Sequence, residues 1–268
     1  MSMTRFVESG LNTLCRHLEI KILNLYYGSY DLCFKISYPH YRLVFVLESD
    51  GKSYFSDSEK EIPALADRIY LLPPFCEVTH AVNATMKHLS IHFTASVEKS
   101  LMLTPPQNTF FFADDPESCS RLRRCLAAET ELSRALFFYG LCVQALERII
   151  TPEHSRQLLE FLRIPEYAAL LQFLNTGGTA AVTVKKMAEI CHLSANAFIK
   201  RFTRDARMPP GRFLDRILTA RAGELLTVHR RSVKETAALL EFSSAFSFSR
   251  FFRRQTGFSP KQFREKMK

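Results

Sequence analysis

Two short runs of side chains near the end of this 268-residue chain have the types and spacing needed to read DNA. Asn196, Ile199, Lys200 and Thr203 fall at i, i+3, i+4 and i+7, which gathers them on one face of a helix. Phe246, Ser249, Arg250 and Arg253 repeat that spacing further on. Arginine forks onto guanine O6 and N7, lysine approaches the same acceptors as a point charge, and asparagine suits adenine. Phe246 and its neighbour Ala245 suit a thymine methyl. Ser194, Thr203, Arg204, Ser244, Arg253 and Arg254 suit phosphate oxygens, which supply affinity but no sequence information. A single such helix face is as easily a solvated surface, and it is the recurrence that argues for a nucleic-acid ligand.

The elements that must position these side chains are duplicated. VKKMAEICHLSANAFIKRF from Val184 returns from Val233 as VKETAALLEFSSAFSFSRFF, with Ala188 matching Ala237 and Leu193 matching Phe242. After a one-residue slip, Phe198, Phe202, Arg204, Pro210 and Phe213 match Phe248, Phe252, Arg254, Pro260 and Phe263. Phe198 and Phe202, like Phe248 and Phe252, stand four apart and must face a core, which turns the candidate contacts outward. Each copy reads as a helix-turn-helix. The stretch Pro210 to Val228 reads as a continuous helix that fixes the distance between the two heads. Two heads in consecutive major grooves stand about 34 Å apart.

Charge agrees with this division. The formal net charge is +9, yet from Gly177 onward there are nineteen Lys/Arg against seven Asp/Glu, and before it seventeen against twenty. The basic tail, not the acidic front, is the part expected to meet a polyanion. No stretch approaches the roughly twenty apolar residues of a transmembrane helix. MSMTRFVESG lacks the layout of a signal peptide, so the expected location is cytoplasmic. The seven cysteines (15, 33, 76, 119, 125, 142 and 191) show no C-x-x-C and read as reduced thiols filling apolar space.

On these residues the region from about Pro165 to Lys268 resembles the C-terminal domain of the AraC/XylS family of transcription regulators. The strings that carry the resemblance are A-E-I-C-H-L-S, F-I-K-R-F, A-A-L-L-E-F-S-S, S-R-F-F-R-R and T-G-F-S-P-K-Q-F-R. The resemblance implies tandem helix-turn-helix units joined by a linker helix, behind a sensing and dimerising domain. Departures are present: His192 and Glu241 stand at a turn position where the family often has glycine, and Arg207 stands where the second copy has Gly257. A non-glycine residue in a left-handed turn costs about 1 kcal/mol. Gly223 weakens the linker helix by a similar ~1 kcal/mol, and Ile199 stands where a polar base contact is common.

The front half reads as short strands from about Leu18 to Thr94, including Leu43–Leu47, Ile69–Leu72 and the alternating run His88–Phe93. Alternation puts Leu89, Ile91 and Phe93 on one face and His88, Ser90 and His92 on the other. Through Pro73-Pro74-Phe75, His80 and Ile91-His92-Phe93, the stretch Tyr41 to Ala95 resembles a cupin-like sensor domain, which implies a barrel holding a small ligand, often a sugar. Tyr38, His40, Tyr54, His80 and His92 are the candidate effector contacts. A metal reading of His40, His80, His88, His92 and Glu48 lacks the H-x-H that enzymatic cupins present, because Tyr38 stands two before His40. Helical spacing follows Pro116, and Leu132, Leu136, Val143, Leu146 and Ile150 form an apolar stripe for the domain's own core or a dimer seam.

The expected fold is therefore α+β and multidomain: a cupin-like β-barrel with following helices over residues 1–150, a linker at 151–164, and an all-α tandem helix-turn-helix domain at 165–268. The expected partners are double-stranded DNA, a small-molecule effector, RNA polymerase and a second copy of the chain. No membrane, metal, cofactor or enzymatic activity is expected. Two rival readings stand beside this one: a regulator controlled by a partner protein, and a metal-dependent cupin enzyme with a DNA-binding tail.

Overall fold

A computed structural model describes residues 16, 18–29, 32–97, 101–102, 110–128, 130–151, 153, 156, 160–161 and 164–266. The signal-peptide argument on the first ten residues, Cys15 and most of the expected linker lie outside the described residues. The front half is built from strands β1 (Leu18–Gly28), β2 (Leu32–Ser37), β3 (Tyr41–Glu48), β4 (Tyr54–Ser56), β5 (Glu61–Pro63), β6 (Arg68–Leu72), β7 (Glu77–Val82), β8 (Lys87–Val97), β9 (Leu101–Met102) and β10 (Phe111–Asp114). One antiparallel sheet has the order β1-β8-β3-β6-β10, with β9 also paired to β8, and the other runs β2-β7-β4-β5. The turn between β3 and β4 is tied by Asp50, whose carboxylate accepts from the Lys52 and Ser53 amides at 2.9 and 2.8 Å.

Strand β3 is buried on both faces, and its parity sorts two cores. Tyr41, Leu43, Phe45 and Leu47 face outward with Leu89, Ile91 and Phe93 of β8, beneath two helices. Arg42, Val44 and Val46 face inward, where the two valines pack with Tyr70, Leu72 and the second sheet's Phe55, Val78 and Val82. The covering helices are α1 (Pro116–Ala128) and α2 (Glu131–Ile149), the latter capped by the Thr130 hydroxyl. Arg148 pairs with Asp115 at 3.0 Å, and Arg123 donates to the Leu47 carbonyl at 2.8 Å, which holds the helices to the sheet.

The expected stripe on α2 divides. The face turned to the sheet is Phe138, Leu141, Cys142, Ala145, Leu146 and Ile149. Leu132, Leu136 and Val143, read from the sequence as part of one stripe with Leu146, are instead exposed, and Tyr139 joins them. The helix is apolar on two sides, so periodicity alone merged both into one broad band.

The second half is helical: α3 (Pro165–Gly177), α4 (Val184–Ile190), α5 (Ala195–Ala206), α6 (Pro210–Thr227), α7 (Val233–Leu239), α8 (Ala245–Thr256) and α9 (Pro260–Lys266). Its core holds the repeated pairs Phe198/Phe202 and Phe248/Phe252, all fully buried, with Phe213 and Phe263 at matching places. Arg221 of α6 donates to the carbonyls of Leu174, Asn175 and Gly178, which closes the otherwise unsatisfied end of α3. No helix among the described residues is long and apolar enough to cross a membrane.

Candidate nucleic-acid interface and buried polar cluster

The two helices that carry the candidate base contacts are α5 and α8. Each begins at a serine cap: the Ser194 hydroxyl accepts from the Ala197 amide at 3.3 Å, and the Ser244 hydroxyl accepts from the Ser247 amide at 3.0 Å. Because each cap oxygen accepts, its O–H proton stays available to donate, the polarity a phosphate oxygen requires. The preceding turns contain His192 and Glu241, both at φ 54°, and the helices end at Arg207, φ 56°, and Gly257, φ 84°. All three departures from glycine therefore occupy left-handed backbone, as the repeat alignment implied.

Burying the phenylalanine pairs turns the opposite faces to solvent. Asn196, Ile199, Lys200, Phe246 and Arg250 are exposed, and Thr203, Ala245 and Ser249 are half-buried. The Ser249 hydroxyl donates back to the Ala245 carbonyl at 2.7 Å, which leaves its oxygen as an acceptor for a base donor. Arg253 and Arg254 are exposed at the far end of α8, and Arg254 approaches Asp215 of α6 at 4.0 Å. Arg204 pairs with Asp205 at 2.7 Å, and Asp205 also accepts from the Tyr167 hydroxyl at 2.9 Å. The ion pair with Arg204 holds the Asp205 carboxyl below its ordinary range despite partial burial.

In the front half, four of the five candidate effector contacts come together. His40 and His92 share a hydrogen bond at 2.9 Å. The Tyr38 ring centre lies 5.2 Å from that of His40, 5.4 Å from His92 and 6.3 Å from His80. Tyr54 stands apart: in β4 it is Phe55 that turns inward and packs its ring 5.2 Å from His80. The strand alternation of His88, Ser90 and His92 is present, but their face is the sheet interior and all three are buried.

The centre of the cluster is a residue that sequence reasoning missed. Arg42 is 2% exposed and binds Ser90 Oγ at 2.8 Å and His80 Nδ1 at 2.6 Å. Its inward place was readable from the parity it shares with Val44 and Val46. Burial and then the Arg42 charge push the His40 imidazole down to about 3, and the same two causes bring His88 to about 3. His80 and His92 are pushed well below the ordinary range by burial first and the neighbouring charges second. All four imidazoles are consequently neutral at neutral pH. Among the described residues no three His, Cys, Asp or Glu side chains converge as a metal site would.

The polar cluster touches the helical half directly. The Phe263 ring of α9 lies 6.1 Å from Tyr38 and 6.2 Å from His40, and edge-on to Phe252 of α8 at 5.1 Å. Arg216 of α6 stacks 4.8 Å from the Phe75 ring, and burial, with Arg212 beside it, lowers its guanidinium to about 10. Lys21 pairs with Glu224. Gly223 gains a reason here: a Cβ at that position would lie 3.3 Å from Pro39 Cγ, so glycine lets α6 approach the turn before β3.

Comparison with known proteins follows the same division. Residues 187–266 match a family profile described as a helix-turn-helix domain. The whole fold is similar to ToxT from Vibrio cholerae O395 bound to (E)-4-(8-methylnaphthalen-1-yl)but-3-enoic acid, with a TM-score of 0.59 at 11% identity over 94% of this chain and 100% of that one. It is similar also to ToxT from Vibrio cholerae strain SCE256 bound to an unsaturated fatty acid, with a TM-score of 0.57 at 10% identity over 92% and 95% of the two chains. The DNA-binding domain of AdpA, a global transcriptional factor in complex with a target DNA, aligns at 26% identity over 38% of this chain and 91% of that one, with a TM-score of 0.35. The comparison with curated proteins gave no match.

Proposed function

We infer, from an AraC-type helix-turn-helix domain at the C-terminus behind a front half that shares its fold with ToxT, that this protein is a sequence-specific transcription regulator and not an enzyme. The observation that carries the reading is the repeated geometry: two capped helices hold buried phenylalanine pairs and present unlike outward residues on a strongly basic half. Unlike reading faces suit two different half-sites, with Asn196, Ile199 and Lys200 on one and Ala245, Phe246, Ser249 and Arg250 on the other. Ser194, Thr203, Arg204, Ser244, Arg253 and Arg254 then bind phosphates.

The effector, in this reading, is a small molecule bound at the cluster of Tyr38, His40, His80 and His92. Arg42 at its centre favours a carboxylate over the sugar that the family resemblance suggested, and the ToxT structures carry carboxylic acids. A second copy of the chain docks on α2, where the exposed Leu132, Leu136, Tyr139 and Val143 follow a 4-3-4 spacing, the a/d seam of a helix pair. Exposure of a seam with that spacing favours self-association over control by an unlike protein.

The direct test is anisotropy of the full chain on duplexes selected from a random pool, with a salt titration. Selective binding that weakens steeply with salt supports the regulator, and failure to bind any duplex at low salt contradicts it. For the effector arm, medium-chain and long-chain carboxylates should raise the melting temperature of the protein, and Arg42→Gln should remove that response.

A further inference from the structure

Phe246 is 72% exposed, more than any other large apolar side chain among the described residues. It sits in the first turn of α8, where a capping box between Ser244 and Ser247 fixes the start of the helix. The Arg250 guanidinium carbon lies 5.9 Å from the centre of its ring. A cation over the ring face orients both groups, yet it leaves most of the ring in water. A phenyl ring held in water at the tip of a basic helix gains from any apolar surface that covers it.

The apolar feature that a major groove offers is the C5 methyl of a pyrimidine, and the strongest acceptor pair for an arginine fork is guanine O6 and N7. Residues four apart on a helix are separated by about 6 Å along its axis, against about 3.4 Å per base step. Resting on the reading that α8 enters a major groove, we propose that Phe246 and Arg250 act as one unit that recognises a C5-methylated pyrimidine within two base pairs of a guanine. The first head has Asn196 at the place of Phe246 and Lys200 at the place of Arg250, so it lacks this unit. The methyl is recognised whether it belongs to thymine or to 5-methylcytosine, which makes the second half-site sensitive to cytosine methylation.

The test uses the full chain and a duplex that it selects from a random pool. Each thymine is replaced singly by uracil, which keeps pairing and charge and removes only the methyl. One uracil in the half-site bound by α8 should weaken binding about fourfold, the worth of one buried methyl. At the same position 5-methylcytosine should bind tighter than cytosine by about the same factor of four. Phe246→Ala should erase both differences, and because the side chain is exposed the variant should keep the parent's melting temperature. The proposal is overturned if no uracil in that half-site changes affinity by more than about 1.5-fold, or if Phe246→Ala keeps the full sensitivity. Failure to enrich any duplex would instead overturn the regulator reading on which the proposal rests.

Discussion

Acidification from pH 7 to pH 5 should strongly destabilise the front half, and the inward histidines set the size of the effect. In the unfolded chain each imidazole titrates near 6.5, whereas His40 and His88 in the folded protein are brought to about 3. The folded pKa values are depressed, so below 6.5 the unfolded state binds more protons and stability falls as the pH falls. The loss continues down to about 3, where the folded state itself begins to take up protons. Between pH 7 and pH 5 each such group costs about 2 kcal/mol, so His40 and His88 together cost about 4 kcal/mol. His80 and His92 are shifted in the same direction by burial and the neighbouring charges and add to the loss, and about 4 kcal/mol is already a large part of the stability of a domain. Carboxylates held low, such as Asp50, Asp115 and Asp205, contribute only below their unfolded values and so act at lower pH. The chain has no tryptophan, so urea unfolding at pH 7, 6 and 5 would be followed by far-ultraviolet circular dichroism and tyrosine fluorescence. A loss below about 1 kcal/mol over that interval would refute the buried neutral cluster, since even one such histidine exceeds it.

The remaining expectations concern the helices. Arg250→Ala should weaken the selected duplex by about 1–3 kcal/mol and flatten the ranking of single-base variants at one position; an unchanged ranking would remove Arg250 from the base contacts. Arg253→Ala should weaken all duplexes alike and reduce the salt slope by about one, as measured by titration of anisotropy. Arg207→Gly should stabilise the helical half by up to about 1 kcal/mol in urea unfolding, because the left-handed backbone there is strained for arginine. Leu136→Glu should shift sedimentation from dimer to monomer with the melting temperature little changed, and a wild-type chain that is already monomeric at micromolar concentration would contradict the seam on α2.

Much of this protein was legible in its sequence because the repeat supplied a control that single elements lack. The phenylalanine pairs, the serine caps and the left-handed turns each appear twice, and the linker helix α6 (Pro210–Thr227) ends within one residue of the Val228 read from the chain. The front half was less legible for a physical reason. In β8 the alternation separated Leu89, Ile91 and Phe93 from His88, Ser90 and His92, but alternation alone does not show that both faces are buried. Arg42 was passed over because a charged residue at the start of a strand, two before Val44, gives no local sign that the second sheet covers it. Tyr54 was placed inward from alternation alone, and in β4 it is the neighbouring Phe55 that turns to His80. The docking of Phe263 on Tyr38 and of Arg216 on Phe75 joins residues far apart in the chain, and no local pattern records it.

The central claim is that two unlike heads grip one face of the duplex, and footprinting of the full chain on its selected duplex tests it most directly. The account predicts two protected blocks of different sequence, centred about one helical turn (~34 Å) apart, with binding lost when about five base pairs are inserted between them. A single protected block, or binding indifferent to that insertion, would contradict it.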